Sequence, residues 1–314
     1  MEFLIKMETI YIHDLQSDNK LKQSFAATIG FFDGVHLGHR FLIHQLKEVA
    51  QKASVPSAVI TFHIHPRKVL HTKYQPELLT SFEEKLYQLS TTGIDYCIVI
   101  DFTRQLSEYS AQAFIQNVLL EQLHVKFLLI GYDHKFGKDR IDGFDEYKEY
   151  GKAVGMEVVL ADPLTQDKVH YSSTAVRKML LEGQIKNAAE LLSYNYQLKG
   201  VVIGGNKMGR ELGFPTANIK LFDKGKIIPK KGVYAVLIKT GGTVYKGMLY
   251  IGARPTLFNK GELRIEANLF DFFGDLYGKQ IVVEFVDFLR EDMKFEKMED
   301  LVAQLGKDKE AAMK

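Results

Sequence analysis

Two histidines lie on either side of a glycine directly after the first strand-like run of the chain. The segment reads Gly30-Phe31-Phe32-Asp33-Gly34-Val35-His36-Leu37-Gly38-His39, and a helical pattern begins at its end. A glycine at a strand-to-helix turn lets a nucleotide approach the backbone, and the amides of a helix N-terminus attract a phosphate. Imidazoles at His36 and His39 would donate to oxygens that gain charge when phosphorus is attacked. The segment therefore predicts a phosphate-binding turn with two catalytic histidines.

Two other interpretations of these histidines stay open at this stage. They could be solvated turn residues, or they could join His63 and His65 in a metal site. Their position directly after a strand favours phosphate binding over the first interpretation. The second is disfavoured because no thiol and no recognisably spaced carboxylate accompanies them.

A second candidate phosphate contact opens a later helix. The segment Tyr171-Ser172-Ser173-Thr174-Ala175-Val176-Arg177 places hydroxyls where they can cap that helix, and an arginine one turn further on. Arginine and hydroxyl groups both bind phosphate oxygens, although an ordinary N-cap would look the same. Together with the paired histidines, the segment predicts a two-sided clamp on a triphosphate.

A glycine-rich loop follows a strand-like run in the last third of the chain. It extends from Gly204 to Asn218, contains two cations and ends in Pro-Thr-Ala-Asn. It is not a Walker loop, because GxxxxGK[ST] is absent. Glycines let a backbone wrap an anion, and a threonine hydroxyl can bind Mg²⁺. A plain hairpin loop is the alternative.

The elements that must position these residues fall into two patterns. Residues 25–160 alternate between short apolar runs and helical stretches, which predicts a doubly wound, Rossmann-like parallel sheet. Ligands of such sheets bind beyond the carboxyl ends of the strands, so segments after different strands should line one cleft. The predicted strands are Phe25–Phe31, Ser57–Phe62, Tyr96–Ile100, Lys126–Gly131 and Met156–Leu160.

After residue 195, strand-like runs follow one another with turns too short for crossover helices. This pattern predicts a small antiparallel β-barrel, followed by a helical tail over Lys297–Met313. We therefore expect two domains, over residues 1–194 and 195–314. The predicted barrel strands are Leu198–Ile203, Val233–Ile238, Val244–Ile251, Leu263–Phe270 and Gln280–Phe288.

Composition excludes several classes of protein. The 314 residues carry 41 Lys and Arg against 39 Asp and Glu, a net charge of +2 that gives no strong attraction to nucleic acid or acidic membranes. A single cysteine, Cys97, excludes an internal disulfide, and no apolar run is long enough to span a bilayer. We expect a cytoplasmic monomer or weak homo-oligomer without nucleic-acid or membrane partners, translated from either Met1 or Met7.

These motifs together resemble the bacterial bifunctional riboflavin kinase/FAD synthetase family, within the nucleotidylyltransferase superfamily. The resemblance covers essentially the whole chain and is carried by GxFDGVHLGH, Thr61-Phe62 with His65-Pro66, GYDHKFG, SSTAVR and GRELGFPTAN. It implies an α/β nucleotidylyltransferase domain followed by a barrel riboflavin kinase domain with a C-terminal helix. It also implies that ATP and Mg²⁺ serve to phosphorylate riboflavin to FMN, and that ATP adenylylates FMN to FAD and pyrophosphate.

The resemblance implies a role for each matching residue. In the first domain, His36 and His39 are catalytic, ATP contacts come from Gly30, Phe32, Asp33, Gly38, Ser172, Ser173, Thr174 and Arg177, and flavin contacts come from Asp133 and Phe62. In the second domain, Glu266 is the catalytic base, Thr216 and Asn218 hold Mg²⁺ and ATP, and the remaining ATP contacts are Gly204, Gly209, Arg210 and Pro215. Arg290, near the last predicted strand, could instead contact flavin or phosphate, or form a surface salt bridge. A base suits the kinase step because a hydroxyl must lose a proton, whereas the FMN phosphate is already ionised.

The sequence departs from the family pattern in several places. His134 stands where phenylalanine is usual, Ile64 where a proline is usual, and Gly143 marks a displaced glycine. Ala267-Asn268 replaces Val-His beside Glu266. Two alternatives follow: an enzyme with only one of the two activities, or a synthetase whose barrel senses flavin.

Overall fold

A computed structural model describes residues 7–16, 23–70, 77–132, 134–138, 140–164, 171–204, 213–253 and 263–314. The chain divides into two compact units, Met1–Ser172 and Ser173–Lys314. The domain boundary predicted after residue 194 stays a prediction. It is placed where the sequence pattern changes, whereas the two units are separated by how compactly their residues pack. No helix within the described ranges is long and apolar enough to cross a membrane.

The first unit is built on a parallel sheet, as predicted. Its six described strands are β1 (Glu8–Tyr11), β2 (Phe25–Ile29), β3 (Ser57–Phe62), β4 (Tyr96–Ile100), β5 (Val125–Ile130) and β6 (Glu157–Leu160). They lie in the order β1-β4-β3-β2-β5-β6, with every recorded pair parallel. The order places β2 and β3 side by side at the centre of the sheet, so the segments after them meet at one edge.

Both faces of this sheet are covered, which explains why its strands are apolar throughout. Successive side chains of a strand point to opposite faces. Ile98 and Ile100 of β4 accordingly lie in one buried cluster, whereas Cys97 and Val99 lie in the other. The helices described in this unit are α1 (Leu37–Ala53), α2 (Pro66–Leu70), α3 (Phe82–Ser90), α4 (Arg104–Ser107), α5 (Ala111–Ala113, continued by a π-helix over Phe114–Leu120) and α6 (Phe144–Ala153).

The second unit contains a closed antiparallel barrel, which confirms the predicted architecture. Its strands are β7 (Gln197–Ile203), β8 (Ala217–Leu221), β9 (Gly232–Thr240), β10 (Thr243–Ala253), β11 (Leu263–Leu269) and β12 (Gln280–Arg290). They close in the order β10-β11-β8-β7-β12-β9. Gly241 and Gly242 join β9 to β10 with φ of 55° and 80°, the left-handed backbone that a two-residue hairpin requires.

Three helices are described in the second unit besides the barrel. They are α7 (Ser173–Glu182), α8 (Ile185–Leu192) and the C-terminal α9 (Met298–Met313). Helices α7 and α8 pack against each other, α8 packs against β12, and α9 packs against β9, β10 and β12. The helical tail predicted from the sequence is therefore confirmed.

Candidate active sites

The turn after β2 has an unusual backbone. Phe32 and Val35 both adopt positive φ, 56° and 39°, although neither is a glycine. Such conformations are unfavourable for residues with a side chain, and a β-branched valine is rarely found in them. Both side chains are buried, so packing holds the turn in this shape. Strained turns of this kind are characteristic of ligand-binding segments.

Asp33 holds this turn to a distant part of the chain. Its buried carboxylate accepts hydrogen bonds from the amides of Leu79, at 3.0 Å, and Thr80, at 3.2 Å. The Gly34 amide in turn donates to Thr80 Oγ1 at 3.2 Å. The structure thus gives Asp33 a positioning role, and its predicted contact with ATP stays a prediction.

The two predicted catalytic histidines are brought together on the first turn of α1. His36 is the N-cap, and its Nδ1 accepts a hydrogen bond from the His39 amide at 3.4 Å. The two rings stack with centroids 3.7 Å apart. A Cβ on Gly38 would lie 3.2 Å from the His36 ring and from Cβ of Tyr171, so glycine keeps this helix start closely packed.

His39 is held in its neutral form. Burial is the main cause that lowers its pKa well below the usual value, and His36, His134 and Lys85 lower it further. Its Nδ1 is buried and has no hydrogen-bond partner among the described residues. His134, which departs from the family pattern, therefore lies near enough to His39 to affect its pKa. A neutral imidazole of this kind donates through one nitrogen only.

Lys85 is the residue of this region that the sequence analysis missed. It lies on α3 with only 2% of its surface exposed. Its Nζ donates to the Phe62 carbonyl at 2.7 Å, to the Phe31 carbonyl at 3.1 Å and to Thr61 Oγ1 at 3.2 Å. Burial lowers the pKa of Lys85 to about 8. The available signal was its spacing, because a lysine three residues after Phe82 and four before Leu89 shares the apolar side of the helix.

The flavin side of the first unit is only partly described. Phe62 is 9% exposed and packs edge-to-face on Phe102, with ring centroids 5.5 Å apart. This placement is that of a core residue, and its predicted flavin contact is not tested. Asp133 lies outside the described residues. A cavity of about 660 Å³ beside β1 and β4, lined in part by His13, Asp101 and Tyr109, contains none of the predicted site residues.

The predicted clamp is divided between the two units. Ser172 ends the first unit, whereas Ser173 and Thr174 lie on the first turn of α7 in the second unit, and Arg177 follows one turn later. Their joint action with His36 on one triphosphate therefore remains a prediction. The alternative metal site gains no support, because no group of three or more His, Cys, Asp or Glu in the described part of the chain could hold a metal ion.

The barrel brings together the predicted kinase residues. Glu266 on β11 pairs directly with Asn218 on β8, and Ala267 pairs with Ala217. Thr216 precedes β8 by one residue, and side chains two apart in an extended segment share a face. The register therefore places the Pro-Thr-Ala-Asn segment beside the predicted base. Gly204 follows β7, whereas Gly209 and Arg210 lie outside the described residues.

Asn268, another departure from the family pattern, has a local function. Its Nδ2 donates a hydrogen bond to the carbonyl of Pro215 at 2.6 Å. Asn268 is 5% exposed, so this bond is shielded from water. The asparagine fixes the start of the Pro-Thr-Ala-Asn segment from the same strand that carries Glu266.

The surroundings of Glu266 are charged and partly shielded. Its side chain is 11% exposed and forms an ion pair with Arg264 on the same strand. The ion pair joins Arg264 Nη2 to Oε1, the buried oxygen of the carboxylate. Across the sheet, Tyr250 pairs with Glu266 and donates to Asp292 at 3.0 Å. Burial, aided by Asp292, raises the pKa of Tyr250 to about 12, so this hydroxyl stays protonated.

Arg290 forms an ion pair in the structure, one of the alternatives drawn from the sequence. Its guanidinium donates through Nε, at 3.0 Å to both carboxylate oxygens of Asp308, and through Nη2 at 2.8 Å. Nη1 donates to the Glu291 carbonyl at 3.0 Å. Asp308 lies on α9, so this pair fastens the C-terminal helix to the barrel. A flavin contact by Arg290 stays a prediction.

Comparisons with known proteins agree with this geometry. A family model described as FAD synthetase matches residues 18–175, and one described as riboflavin kinase matches residues 192–314. Proteins named bifunctional riboflavin kinase/FMN adenylyltransferase include one from Listeria monocytogenes, 38% identical over 97% of this chain and 96% of its own length. Another, from Bacillus subtilis, is 36% identical over 98% of each chain.

A solved structure is similar over nearly the same length. It is described as a macrolide-efflux protein from Streptococcus pneumoniae, is 31% identical and superposes with a TM-score of 0.87 over 97% of this chain and 98% of that chain. Macrolide efflux is part of the description of that protein only. For this chain, the similarity supports the fold.

The parallel sheet with its histidine turn and the barrel with its carboxylate define a two-domain transferase, a nucleotidylyltransferase joined to a small-molecule kinase. The chain belongs to the family of bifunctional riboflavin kinase/FMN adenylyltransferases. Both domains are present, as predicted for a bifunctional enzyme.

Proposed function

We propose that the two reactions use the residues brought together in each unit. In the first unit, His36 and His39 bind the ATP phosphates while FMN is adenylylated. In the second, Glu266 acts as general base while riboflavin is phosphorylated. The observation that carries the proposal is the register of the barrel, in which Glu266 pairs directly with Asn218 beside Thr216.

The adenylylation step needs positioning more than proton transfer. An oxygen of the FMN phosphate forms a bond to the α-phosphorus of ATP, and the bond from that phosphorus to pyrophosphate breaks. The nucleophile is already anionic, so no base is required. What lowers the barrier is alignment and donors aimed at the oxygens that gain charge. The neutral His39, stacked on His36 at the start of α1, is suited to donate one such hydrogen bond.

The kinase step begins from a neutral hydroxyl. The riboflavin 5′-oxygen forms a bond to the γ-phosphorus, the bond to ADP breaks, and the hydroxyl proton passes to Glu266. Carboxylates contribute to such steps as general bases. The register of β11 and β8 supports this role, because Glu266 lies directly opposite Asn218, one of the residues proposed to hold Mg²⁺ and ATP. The ion pair with Arg264 holds the Glu266 carboxylate in place.

Mg²⁺ fits the donors at the start of β8. Mg²⁺ prefers oxygen ligands and is commonly held by one or two protein groups together with substrate phosphates and water. The Thr216 hydroxyl and the Asn218 amide carbonyl are such oxygens, on an exposed and a half-buried residue respectively. When bound there with ATP, Mg²⁺ would neutralise charge on the transferred phosphate.

The experiment is chromatography of flavins after incubation of the whole protein with ATP and Mg²⁺. With riboflavin as substrate, both FMN and FAD are expected, and with FMN supplied, FAD alone. Accumulation of FMN without FAD would contradict the first-unit proposal, and formation of FAD only from supplied FMN would contradict the second. Omission of Mg²⁺ should stop phosphorylation.

We further propose that the protein works in the cytoplasm as a monomer or weak homo-oligomer. Light scattering across a range of concentrations tests the assembly. A stable oligomer at low concentration would contradict the proposal.

A further inference from the structure

Lys85 lies beneath the histidine turn and has no part in the reaction described so far. It is a lysine with 2% of its surface exposed, a rare position for this residue type. The acceptors recorded for its ammonium group are three uncharged oxygens. Burying an ammonium group is unfavourable unless its donors are satisfied, so these three bonds are what makes the position tolerable.

The three acceptors lie where the two central strands end. Phe31 lies just after the end of β2, and Phe62 is the last residue of β3. The hydroxyl of Thr61 also donates a hydrogen bond to the Phe31 carbonyl, at 3.2 Å. Phe31 directly precedes Phe32, the first residue of the turn with positive φ. Lys85 therefore cross-links two strand ends at the point where the strained turn begins.

The charge of Lys85 also faces the turn from below. Its Nζ lies 4.0 Å from the centre of the Phe31 ring. Besides burial, the charges of Cys97 on β4 and Asp33 in the turn affect the pKa of Lys85. The pKa of His39 is lowered in turn by His36, His134 and Lys85. Asp33 already accepts hydrogen bonds from Leu79 and Thr80. A cation beneath an anion-binding turn raises the local positive potential toward phosphate.

We propose that Lys85 is a positioning residue for FMN adenylylation: it fastens the turn that carries His36 and His39 to the ends of β2 and β3, and it places a fixed positive charge beneath the ATP phosphates. The inference rests on the proposed ATP site at this turn. Lys85 is too buried to reach substrate, so it acts through the turn.

The test compares four variants of the full chain. Lys85→Met keeps the apolar stem and removes the charge and all three donors, Lys85→Arg keeps the charge, and Thr61→Val removes a single acceptor with little change of shape. Lys47→Met is the matched control, because Lys47 also lies in the first unit and donates to a backbone carbonyl, that of Thr92, at 3.2 Å. Riboflavin phosphorylation by the second unit is measured in each sample.

Lys85→Met is expected to lower kcat/KM for FMN adenylylation by at least about tenfold, with riboflavin phosphorylation unchanged. Lys85→Arg should recover part of the loss, and Thr61→Val, which guards against a failure of Lys85→Met to fold, should show a smaller loss. NMR titration of the His39 imidazole tests separately whether the charge of Lys85 acts on the turn. Its pKa should rise in Lys85→Met and stay unchanged in Lys47→Met.

The inference is overturned if Lys85→Met and Thr61→Val adenylylate FMN as Lys47→Met does, or if the His39 titration is the same in Lys85→Met and the wild type. His39→Ala separates this failure from that of the proposed site. If His39→Ala is also fully active, the ATP site itself is misplaced. If only His39→Ala is inactive, the site stands and Lys85 has no positioning role.

Discussion

Replacing Glu266 by glutamine removes the proton acceptor of the proposed kinase site and keeps the size of the side chain. General bases contribute roughly 10²–10⁴-fold to rate, which corresponds to about 3–5 kcal/mol of transition-state stabilisation. The lost ion pair is a smaller effect. Arg264 is 38% exposed, so solvent screens the pair and its loss should cost about 1 kcal/mol or less of folding stability. The effect on chemistry therefore exceeds the effect on folding.

The assay follows riboflavin phosphorylation and FMN adenylylation in the same preparation. Glu266→Gln should phosphorylate riboflavin roughly 10²–10⁴-fold more slowly and adenylylate supplied FMN at close to the wild-type rate. Glu284→Gln is the matched control, because Glu284 is a β12 carboxylate that is 17% exposed and paired with Lys239. It loses a comparable ion pair and should keep both activities.

Normal phosphorylation by Glu266→Gln would show that Glu266 is not the base. A loss of phosphorylation in Glu284→Gln equal to that in Glu266→Gln would show that the barrel fails when either ion pair is broken. In that case the measured effect would report stability instead of proton transfer.

Three further predictions concern other residues. His39→Ala should lower FMN adenylylation at least about tenfold and leave riboflavin phosphorylation nearly unchanged, and equal loss of both would refute the assignment. Asp308→Ala leaves Arg290 without its carboxylate and should destabilise the second unit by about 3 kcal/mol in urea unfolding, since both side chains are largely buried; a change within the error of the wild type would contradict this. Because the pKa of Lys85 is lowered to about 8, the unfolded chain binds the extra proton between pH 8 and the ordinary lysine value, so stability of the first unit should rise with pH across that window. Lys85→Met should lose this part of the rise, and an unchanged pH profile of unfolding would contradict it.

The strands were predictable where apolar runs are long and buried. The boundaries of β3 and β4 match the predicted ones, and the others differ by a few residues. Two strands were missed for physical reasons. Strand β1 is a short edge strand in which only Ile10 is fully buried, so it lacks the apolar run that marks the other strands of the sheet. Strand β8 begins inside the Pro-Thr-Ala-Asn segment, where the loop composition hides its alternation.

The candidate sites were predictable where chemistry is local in sequence. His36, Gly38 and His39 form one helix start, and their spacing alone brings them together. The contacts that hold this turn are long-range and leave no local signal, because Asp33 bonds to Leu79 and Thr80 across a gap that no pattern specifies. The same holds for Lys85, whose function depends on two strand ends brought together by the sheet.

The central claim is that one chain carries two chemically separate sites, and the position of isotopic label from ATP tests it most directly. With riboflavin and wild-type protein, label from the γ-phosphate should enter FMN and FAD, and label from the α-phosphate should enter FAD only. His39→Ala should incorporate γ-label into FMN and α-label at least about tenfold more slowly than the wild type, whereas Glu266→Gln given FMN should still incorporate α-label into FAD. If His39→Ala fails to incorporate γ-label into FMN, or Glu266→Gln given FMN fails to incorporate α-label into FAD, with both units folded, the account of two separate sites is contradicted.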